Sequence, residues 1–365
     1  MNQISSLQSL PGEIVFCNIE RWKMLFLQIL RQRHSHMQSP EVYVTRNFLF
    51  KLLGMLLMCN IPLCSNAQNG IATKYPGDAG IQNDPGVIFT DMFEAPNISA
   101  VISNWTDHKD SAQMALVNDV PPGSSGKTSI RFTTVGGRVN AVDLYKLLSP
   151  GIKDSLFLRY YIKYNSTGTF HHTGGAMGGY NPPSGWPMGS AGKKPTGSDR
   201  FSSSIEPYEV GTKPAATSRI DYYAYWMGMK GNTVPNTYYG NCFINDPAVK
   251  INLNEWACIE IMIKLNNPVT ASNGEMALWI NGVQVSHLKQ GSPTGAWVWD
   301  KFIPGTGTPF EGFQWRNNTD LNINWLWIEH YVTEDKKGQQ NSIYYDHVVA
   351  ARSYIGPISM VGSVR

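Results

Sequence analysis

Short runs in which apolar and polar side chains alternate constrain the fold of this chain more than any other feature. The run LFLRYYIKYN (156–165) and the run LNINWLWIEHYVT (321–333) both repeat with a period of two. That period places successive side chains on opposite faces of a β-strand. About a dozen such runs are joined by segments rich in Gly and Pro, and no helical heptads interrupt them. The chain is therefore predicted to be all-β.

The hairpin and turn signals favour an antiparallel β-sandwich of two sheets, of the jelly-roll type. The pair Asn281-Gly282 lies inside GEMALWINGVQVSHL and is the strongest short turn signal in the chain. A barrel fits the same pattern, whereas a propeller would need a blade-length repeat that the sequence lacks. No linker divides residues 87–360, so these are predicted to form one domain after a flexible leader at 68–86.

Residues 44–67 match a signal peptide. Arg46 and Lys51 precede an apolar run at 52–64, and small and polar residues then lead to a cleavage site after Ala67. The apolar run is too short to span a bilayer comfortably. The sequence therefore predicts export, with the protein secreted, extracellular or periplasmic and without a stable membrane anchor.

Residues 1–43 precede the signal-like segment, where a signal peptide would normally begin. We expect them to be an over-long gene assignment, with translation from Met37 or Val44; an unusual leader is the alternative. A lipoprotein would need small residues before its cysteine, and Cys64 instead follows Leu63.

Charge and cysteine content narrow the function classes. The net charge of +3, with 16% charged residues, gives no reason to expect nucleic acid as a partner. Of the five cysteines, only Cys242 and Cys258 follow the leader. In an exported protein these two are predicted to form a disulfide, and two buried free thiols are the alternative. The sequence carries no signal for an oligomeric state.

Most of the candidate functional side chains lie in residues 156–230. The strand-like runs LFLRYYIKYN (156–165), FSSSIEPYEV (201–210) and RIDYYAYWMGMK (219–230) space aromatic, basic and hydroxyl side chains two apart, and a Gly-rich loop with two adjacent histidines lies between the first two. Such side chains share one face of a sheet, where they would form a poor core and a good floor for a sugar chain.

The order of these segments resembles a known family. FTDMFE comes first, then LFLRYYIKYN, the His/Gly loop, WACIEIMIKLN, NGEMALWINGVQV and YYDHVVAARSYIGPI. This order looks like the concanavalin A-like jelly rolls, and within them it is most similar to the alginate and glucuronan lyases. The similarity covers most of residues 87–358. It implies β-elimination on an acidic, uronic-acid-containing polysaccharide without an organic cofactor.

The sequence departs from that family in its details. It has no counterpart of a YFKAGxYNQ-like strand, and it carries His171 and His172 where the family often places a lysine. The insertion NPPSGWPMGSAGKKPTGSD (181–199) is long.

β-Elimination requires a group that neutralises the uronate carboxylate, a base and an acid. His171 and His172 are candidates for base or neutraliser, Arg200 for a carboxylate clamp, and Tyr223 or Tyr225 for the acid–base tyrosine. The alternatives are solvent-exposed histidines, an arginine paired with a neighbouring carboxylate, and tyrosines that only line a core or a cleft.

Alternation within DYYAYW decides between its two faces. Tyr223 and Tyr225 share one face, while Tyr222, Ala224 and Trp226 share the other. The second set is more apolar and is predicted to be core, which leaves the two odd-numbered tyrosines for the cleft.

Other polar and aromatic side chains at strand or loop positions are candidates for substrate binding; the alternative for each is a solvated surface or a core edge. They are Arg159, Lys163, Trp186, Ser202, Ser204, Glu206, Lys230 and His330. Trp297, Trp299 and Trp315 are further loop tryptophans that either stack on sugars or close the core.

Asp91 and Asp346 belong to the predicted first and last strands, which adjoin in many sandwiches of this kind. Together with backbone carbonyls they are candidates for a structural Ca²⁺ site.

Two other function classes remain open. One is a non-catalytic carbohydrate-binding or adhesion module with the same sandwich. The other is a glycoside hydrolase with unrecognised carboxylates, for which Glu206 and Glu209 come first. The acidic ExDxxE strand of the retaining β-glucanases is absent, which disfavours that class of hydrolase.

Overall fold

The structure is a computed structural model, and the chain divides into two units, Met1–Ser65 and Asn66–Arg365. The first unit, with most of the predicted signal peptide, lies outside the described residues, as does Glu209. The structure describes residues 69–165, 170–189, 191–208 and 217–360.

Two antiparallel sheets form the sandwich that the alternation predicts. Strands are numbered in chain order. Sheet A contains β1 (Val87–Asp91), β3 (Met114–Val117), β4 (Ser129–Val135), β6 (Ser155–Tyr164), β11 (Ala257–Lys264), β12 (Glu275–Ile280), β13 (Val283–Leu288) and β18 (Gln340–Ala351). Sheet B contains β2 (Asp107–Lys109), β5 (Ala141–Ile152), β7 (His171–Tyr180), β8 (Arg200–Pro207), β9 (Thr217–Tyr225), β10 (Lys250–Asn252) and β17 (Ile323–Tyr331).

The remaining elements are short. A small third sheet consists of β14 (Thr294–Val298), β15 (Lys301–Pro304) and β16 (Thr308–Pro309). Among the described residues the one α-helix is α1 (Ile98–Ile102), which is capped by the side chain of Asn97, the acceptor of a hydrogen bond from Ala100 N. The 3₁₀ turns are Ile71–Lys74, Pro76–Asp78, Ile81–Asn83 and Ser111–Gln113.

The order of the strands decides what lies at the centre of each sheet. Sheet A runs β13-β12-β11-β6-β18-β4-β3, and β1 also pairs with β18. Sheet B runs β10-β9-β8-β7-β17-β5-β2, so β7 and β17 are central and lie side by side. Strands distant in the sequence thereby present their side chains to one surface.

The core lies between the sheets and takes one parity from each strand. On β6 it takes Leu156, Leu158, Tyr160 and Ile162, and on β9 it takes Tyr222, with their side chains almost completely buried. Because alternate side chains of a strand point to opposite faces, the other parity of β9 points out of the sandwich.

The segment expected to be a flexible leader is part of the fold, which corrects that prediction. Ile71 and Ile81 are buried in a cluster with Val349 and Ile355. The backbone N–H of Ile71 donates to Tyr354 O at 3.1 Å, and that of Ala72 donates to Ile355 O at 2.9 Å. A few apolar residues in a polar, turn-rich segment are enough to hold it against sheet A.

The same segment explains why Arg159 and Lys163 are not in a groove. Both belong to β6 of sheet A, and the Arg159 guanidinium is fully buried beneath the segment, 2.5 Å from Asp78 Oδ2. Lys163 pairs with Asp119. Their predicted place at flanking subsites is therefore wrong, because alternation along one strand does not reveal which sheet the strand joins.

The predicted disulfide does not form. Cys242 and Cys258 are both free, with Cys258 buried on β11 beside Tyr161 and Ile358. Cys242 instead lies next to Lys301 at the start of β15. The alternative of two free thiols describes the structure, and burial raises the pKa of the Cys258 thiol to about 12.

Candidate active site

A cleft of about 720 Å³ lies on the outer face of sheet B. Its walls come from β2, β5, β7, β8, β9 and β17 and from the loop that follows β7. The cleft therefore collects side chains from six separate strands, and several of them are aromatic.

Small residues on the cleft face of β7 make a trough along the middle of this sheet. Gly174, Ala176 and Gly178 alternate on that face. A Cβ atom at Gly178 would lie 2.6 Å from Cζ2 of Trp325, which packs over this position. Only glycine permits that approach, so Trp325 can lie flat against the strand.

His172 is the most distinctive polar side chain of the cleft. Its backbone φ of 41° is left-handed, and it lies where the pairing of β7 with β17 shifts register between His330 and Tyr331. Non-glycine residues rarely adopt this conformation, and such bulges often redirect side chains at functional sites. The bulge places the imidazole in the cleft, where 26% of the side chain is exposed.

A carboxylate fixes the tautomer of His172. Nδ1 lies 2.7 Å from Glu206 Oε2 on β8, and because a carboxylate only accepts, Nδ1–H donates. Glu206 Oε1 in turn accepts a hydrogen bond from Ser204 Oγ. In the neutral ring the lone pair is then on Nε2. Burial favours the neutral ring, but the charge and hydrogen bond of Glu206 outweigh it and raise the pKa of His172.

Two tyrosines complete this part of the cleft. The ring of Tyr223 lies 4.7 Å from the ring of His172, centroid to centroid, and its hydroxyl is 3.2 Å from the Tyr225 hydroxyl. Burial, followed by the charge of its neighbour Tyr225, raises the pKa of Tyr223; burial also raises the pKa of Tyr225. Both phenols are therefore protonated at neutral pH and can donate a proton.

An aromatic wall adjoins them. Trp325 stacks on Tyr180 with ring centroids 5.3 Å apart and an interplanar angle of 21°. Tyr145 holds the following loop by donating from its hydroxyl to Ser184 O at 3.0 Å. Trp186, on that loop, lines the cleft with 64% of its surface exposed. An exposed indole at a cleft mouth is suited to stacking on a sugar ring.

Sequence reasoning missed a second polar group on the cleft floor. Asp143 on β5 and Glu329 on β17 are directly opposite each other in the strand pairing, and both line the cleft. Lys109 on β2 pairs with Asp143 on the other side. Only the strand pairing brings these residues together. A carboxylate on an otherwise aromatic face, as in WLWIEHY, was the available signal for Glu329.

The structure places several predicted site residues in this one cleft. They are His172, Trp186, Ser202, Ser204, Glu206, Tyr223 and Tyr225. The side chain of His171 lies outside the described part of the structure.

Arg200 is not among the residues that line the cleft. Its Nη1 donates to Asp199 Oδ2 at 2.8 Å, and its Nη2 donates to Lys193 O at 2.5 Å. The guanidinium therefore has the neighbouring carboxylate as its partner, which was the structural alternative.

Lys230 lies apart from the cleft, in a small depression, 3.3 Å from Glu311 and over the ring of Trp297. Trp315 is fully buried and stacks on Phe313, while Trp299 is largely exposed. Lys230 is therefore a surface lysine outside this cleft, which was the alternative to substrate contact.

His330 is a core residue, which corrects its place among the substrate-binding candidates. It is completely buried between Thr173 Oγ1 at 3.1 Å and Thr134 Oγ1 at 3.3 Å. Burial lowers its pKa to about 3. On β17 the tryptophans face the cleft and the histidine faces the core, the reverse of what their hydrophobicity indicates.

The proposed Ca²⁺ ligands do lie on neighbouring strands. Asp91 pairs with Val348 on β18, but its carboxylate already accepts from Phe93 N and Trp105 Nε1. Asp346 Oδ2 is buried without a hydrogen bond, and burial raises the pKa of Asp346 to about 9. No cluster of three metal-ligating side chains occurs among the described residues. The Ca²⁺ site stays a prediction.

No protein-family model matches the sequence, and no curated protein matches it. Within residues 69–165, 170–189, 191–208 and 217–360, no helix is long and apolar enough to cross a membrane.

The solved structures that the chain is similar to include lyases of the group that the sequence resembles. An alginate lyase, the Aly36B mutant in complex with alginate tetrasaccharide, is 13% identical with a TM-score of 0.47, over 75% of this chain and 99% of that one. The endo-β-1,4-glucuronan lyase from the fungus Trichoderma reesei is 11% identical with a TM-score of 0.37, over 68% and 91%.

A hydrolase is also among these structures. The catalytic domain of a glycoside hydrolase family 131 protein from Coprinopsis cinerea is 11% identical with a TM-score of 0.37, over 76% of this chain and 99% of that one. At such identities the activity of this chain has to be argued from its own cleft.

Proposed function

We propose that this protein is a secreted polysaccharide lyase that cleaves a uronic-acid-containing polysaccharide by β-elimination. The observation that carries the proposal is the convergence of His172, Glu206, Tyr223 and Tyr225 in one cleft. A base held in one tautomer lies beside two protonated phenols, and those are the partners that elimination needs. The signal-like segment at 44–67 supports action outside the cell.

His172 is the base of the proposed reaction. Its Nε2 takes the proton from C5 of the uronate, and the C5–H electron pair forms the C4=C5 double bond as the C4–O bond breaks. Glu206 holds Nδ1–H and stabilises the imidazolium that results. Among the described residues no arginine lines the cleft, and Lys109, which does, is three strands away on β2; this imidazolium therefore also stabilises the charge that develops next to the uronate carboxylate.

The tyrosines supply the acid. One phenol donates its proton to the leaving C4 oxygen, and the other hydroxyl, 3.2 Å away, donates a hydrogen bond to the phenolate that forms. The raised pKa values of both groups assign them to this acid role rather than to that of base. After product release, water carries one proton from the His172 imidazolium to the phenolate, which restores both groups.

The test is an assay for unsaturated uronate by ultraviolet absorbance, with alginate, glucuronan, pectate, hyaluronan and chondroitin as substrates. Absorbance that rises with the wild type and is lost in His172→Ala and Tyr225→Phe supports the proposal. His287→Ala is a matched control, because His287 also pairs with a glutamate, Glu275, at 2.7 Å but on sheet A. Retention of a polymer without any product would instead support the binding-module alternative.

A glycoside hydrolase is the second candidate, and one observation favours it. Asp143 and Glu329 face each other across adjacent strands, where Cβ atoms lie about 4.5–5.5 Å apart, close to the carboxyl spacing of retaining enzymes. Burial raises the pKa of Asp143 to about 6, and it also raises the pKa of Glu329 well above its ordinary value. New reducing ends without unsaturated product, lost in Glu329→Gln, would establish this reaction and overturn the lyase.

A further inference from the structure

Asp143 and Glu329 form an acidic pair in a part of the cleft that the proposed elimination does not use. Their side chains are 5% and 9% exposed, and both line the cleft. Among the described residues, no group donates a hydrogen bond to the Glu329 carboxyl; the Tyr345 hydroxyl donates to the backbone oxygen of Glu329 instead. Buried carboxyls in proteins are normally hydrogen-bonded, so the Glu329 carboxyl has hydrogen-bonding capacity left for a ligand.

The pair lies beside β7, the strand that carries His172, at a position where β7 has only Gly174. Glu329 pairs with Gly174 on β7, and β8 with Glu206 follows on the far side. Because neighbouring strands lie about 4.8 Å apart, the backbones at Glu329 and Glu206 are about 10 Å apart. The trough over Gly174 therefore leads from the sugar unit at His172 to a different unit at the acidic pair.

The charges at this second position disfavour a uronate. Lys109 is opposite Asp143 on the edge strand β2 and lines the cleft, but it is exposed, and among the described residues no salt bridge joins it to either carboxyl. Burial, followed by the charges of Glu206 and Asp143, raises the pKa of Glu329, which favours a protonated carboxyl in the pair. A half-protonated pair donates one hydrogen bond and accepts several, which suits vicinal sugar hydroxyls, whereas a second anion would be repelled.

Aromatic rings flank the pair on both sides. Trp327 and Tyr331 belong to the same strand as Glu329, share its face and line the cleft. Aromatic faces pack against sugar C–H groups while carboxyls bind the hydroxyls at the edge of the ring. The position therefore has the apolar and polar elements of a sugar subsite.

We infer that Asp143 and Glu329 bind an uncharged sugar unit, so that the natural polymer alternates uronate with uncharged sugar rather than being a homopolymer of uronate. That the polymer contains uronate rests on the proposed function. The subsite itself rests on the pair, its rings and its place along the trough.

The experiment compares binding of oligosaccharides of equal length in the His172→Ala background, which prevents turnover by elimination. Hyaluronan and chondroitin oligosaccharides represent alternating polymers, and glucuronan and alginate oligosaccharides represent homopolymers. We expect the alternating ligands to bind at least tenfold more tightly by calorimetry. The isosteric change Asp143→Asn with Glu329→Gln should reduce that ratio to within about threefold of unity. Asp320→Asn, an exposed carboxylate outside the cleft, is the matched control and should leave the ratio unchanged.

Homopolymers that bind as tightly as alternating ligands, or a ratio that the double variant does not change, would overturn the inference. Equal weak binding of all four ligands counts against it in the same way. Its failure is distinguishable from failure of the lyase. If alginate gives unsaturated product but the alternating ligands bind no more tightly, the subsite is rejected and the lyase is kept. If the double variant abolishes a binding preference but no polymer gives unsaturated product, the subsite is kept and the lyase is rejected.

Discussion

Nδ1 of His172 donates a hydrogen bond to Glu206 Oε2, 2.7 Å away on the adjacent strand. This single contact fixes the tautomer of the imidazole and its charge preference, and it joins two strands at the centre of the cleft. Because the bulge at His172 is what turns its ring to Glu206, the backbone and the proposed chemistry depend on each other.

Removing the charge of Glu206 should move the acidic limb of the pH–rate profile. A base works only when deprotonated, so kcat/KM is lost as the pH falls through the raised pKa of His172. Glu206→Gln removes the contribution that raises this pKa, and the limb should shift to lower pH while kcat falls about 100-fold. The measurement is kcat/KM against pH; Glu275→Gln, which changes the partner of His287, should leave the profile unchanged. A fall in kcat without any shift of the limb would contradict the assignment.

Replacing Tyr223 or Tyr225 by phenylalanine should reduce activity, whereas the same change at a tyrosine outside the cleft should not. Tyr225→Phe and Tyr223→Phe each remove one hydroxyl of the pair that is 3.2 Å apart, and we expect each to lower kcat by about 10²-fold or more. Tyr344 on β18 is outside the cleft, so Tyr344→Phe serves as the control. The assay is unsaturated product per unit time at saturating substrate. Full activity in both cleft variants would exclude a phenol as the acid.

The buried His330 should make the protein sensitive to acid. Its pKa falls from an ordinary 6.5 to about 3 in the folded state because burial disfavours the charged ring. The neutral form therefore supports folding above pH 6.5, and stability is lost as the pH falls towards 3, with a slope of about 1.4 kcal/mol per pH unit. The free energy of unfolding, measured by urea titration at several pH values in this range, should depend less steeply on pH in His330→Gln than in the wild type. The exposed His108→Gln is the control, and equal slopes for all three proteins would refute the prediction.

The ion pair of Arg159 and Asp78 should be a major element of stability. Both side chains are fully buried at 2.5 Å, so Asp78→Ala leaves a buried guanidinium without its carboxylate and should cost about 3–5 kcal/mol. Lys74→Met breaks an ion pair in which the lysine side chain is 67% exposed, and it should cost less than about 1 kcal/mol. Urea titration at pH 7 measures both values. Similar small losses in the two variants would show that the segment around Asp78 contributes little to folding.

The sequence alone predicted the features that depend on a single strand, namely which of its side chains share a face. Alternation placed Ser204 and Glu206 on one face of β8, and it separated Tyr223 and Tyr225 from the core residue Tyr222. These assignments depend only on the geometry of an extended backbone, which is local. The prediction of an all-β sandwich has the same basis, since it needs only the number, length and alternation of the strands.

Strand pairing decided the rest, because it joins residues that are distant in the chain. Alternation is identical in both sheets, so it did not reveal that Arg159 is on sheet A and Glu206 on sheet B. It also did not show which parity of β17 is buried, because Trp325 can lie flat only over the glycine that β7 provides. The acidic pair of Asp143 and Glu329 exists only through the pairing of β5 with β17. The sequence by itself determined the strands and which side chains share a face. The tertiary structure decided which faces meet, because the packing of two sheets depends on contacts between residues that are far apart in the chain.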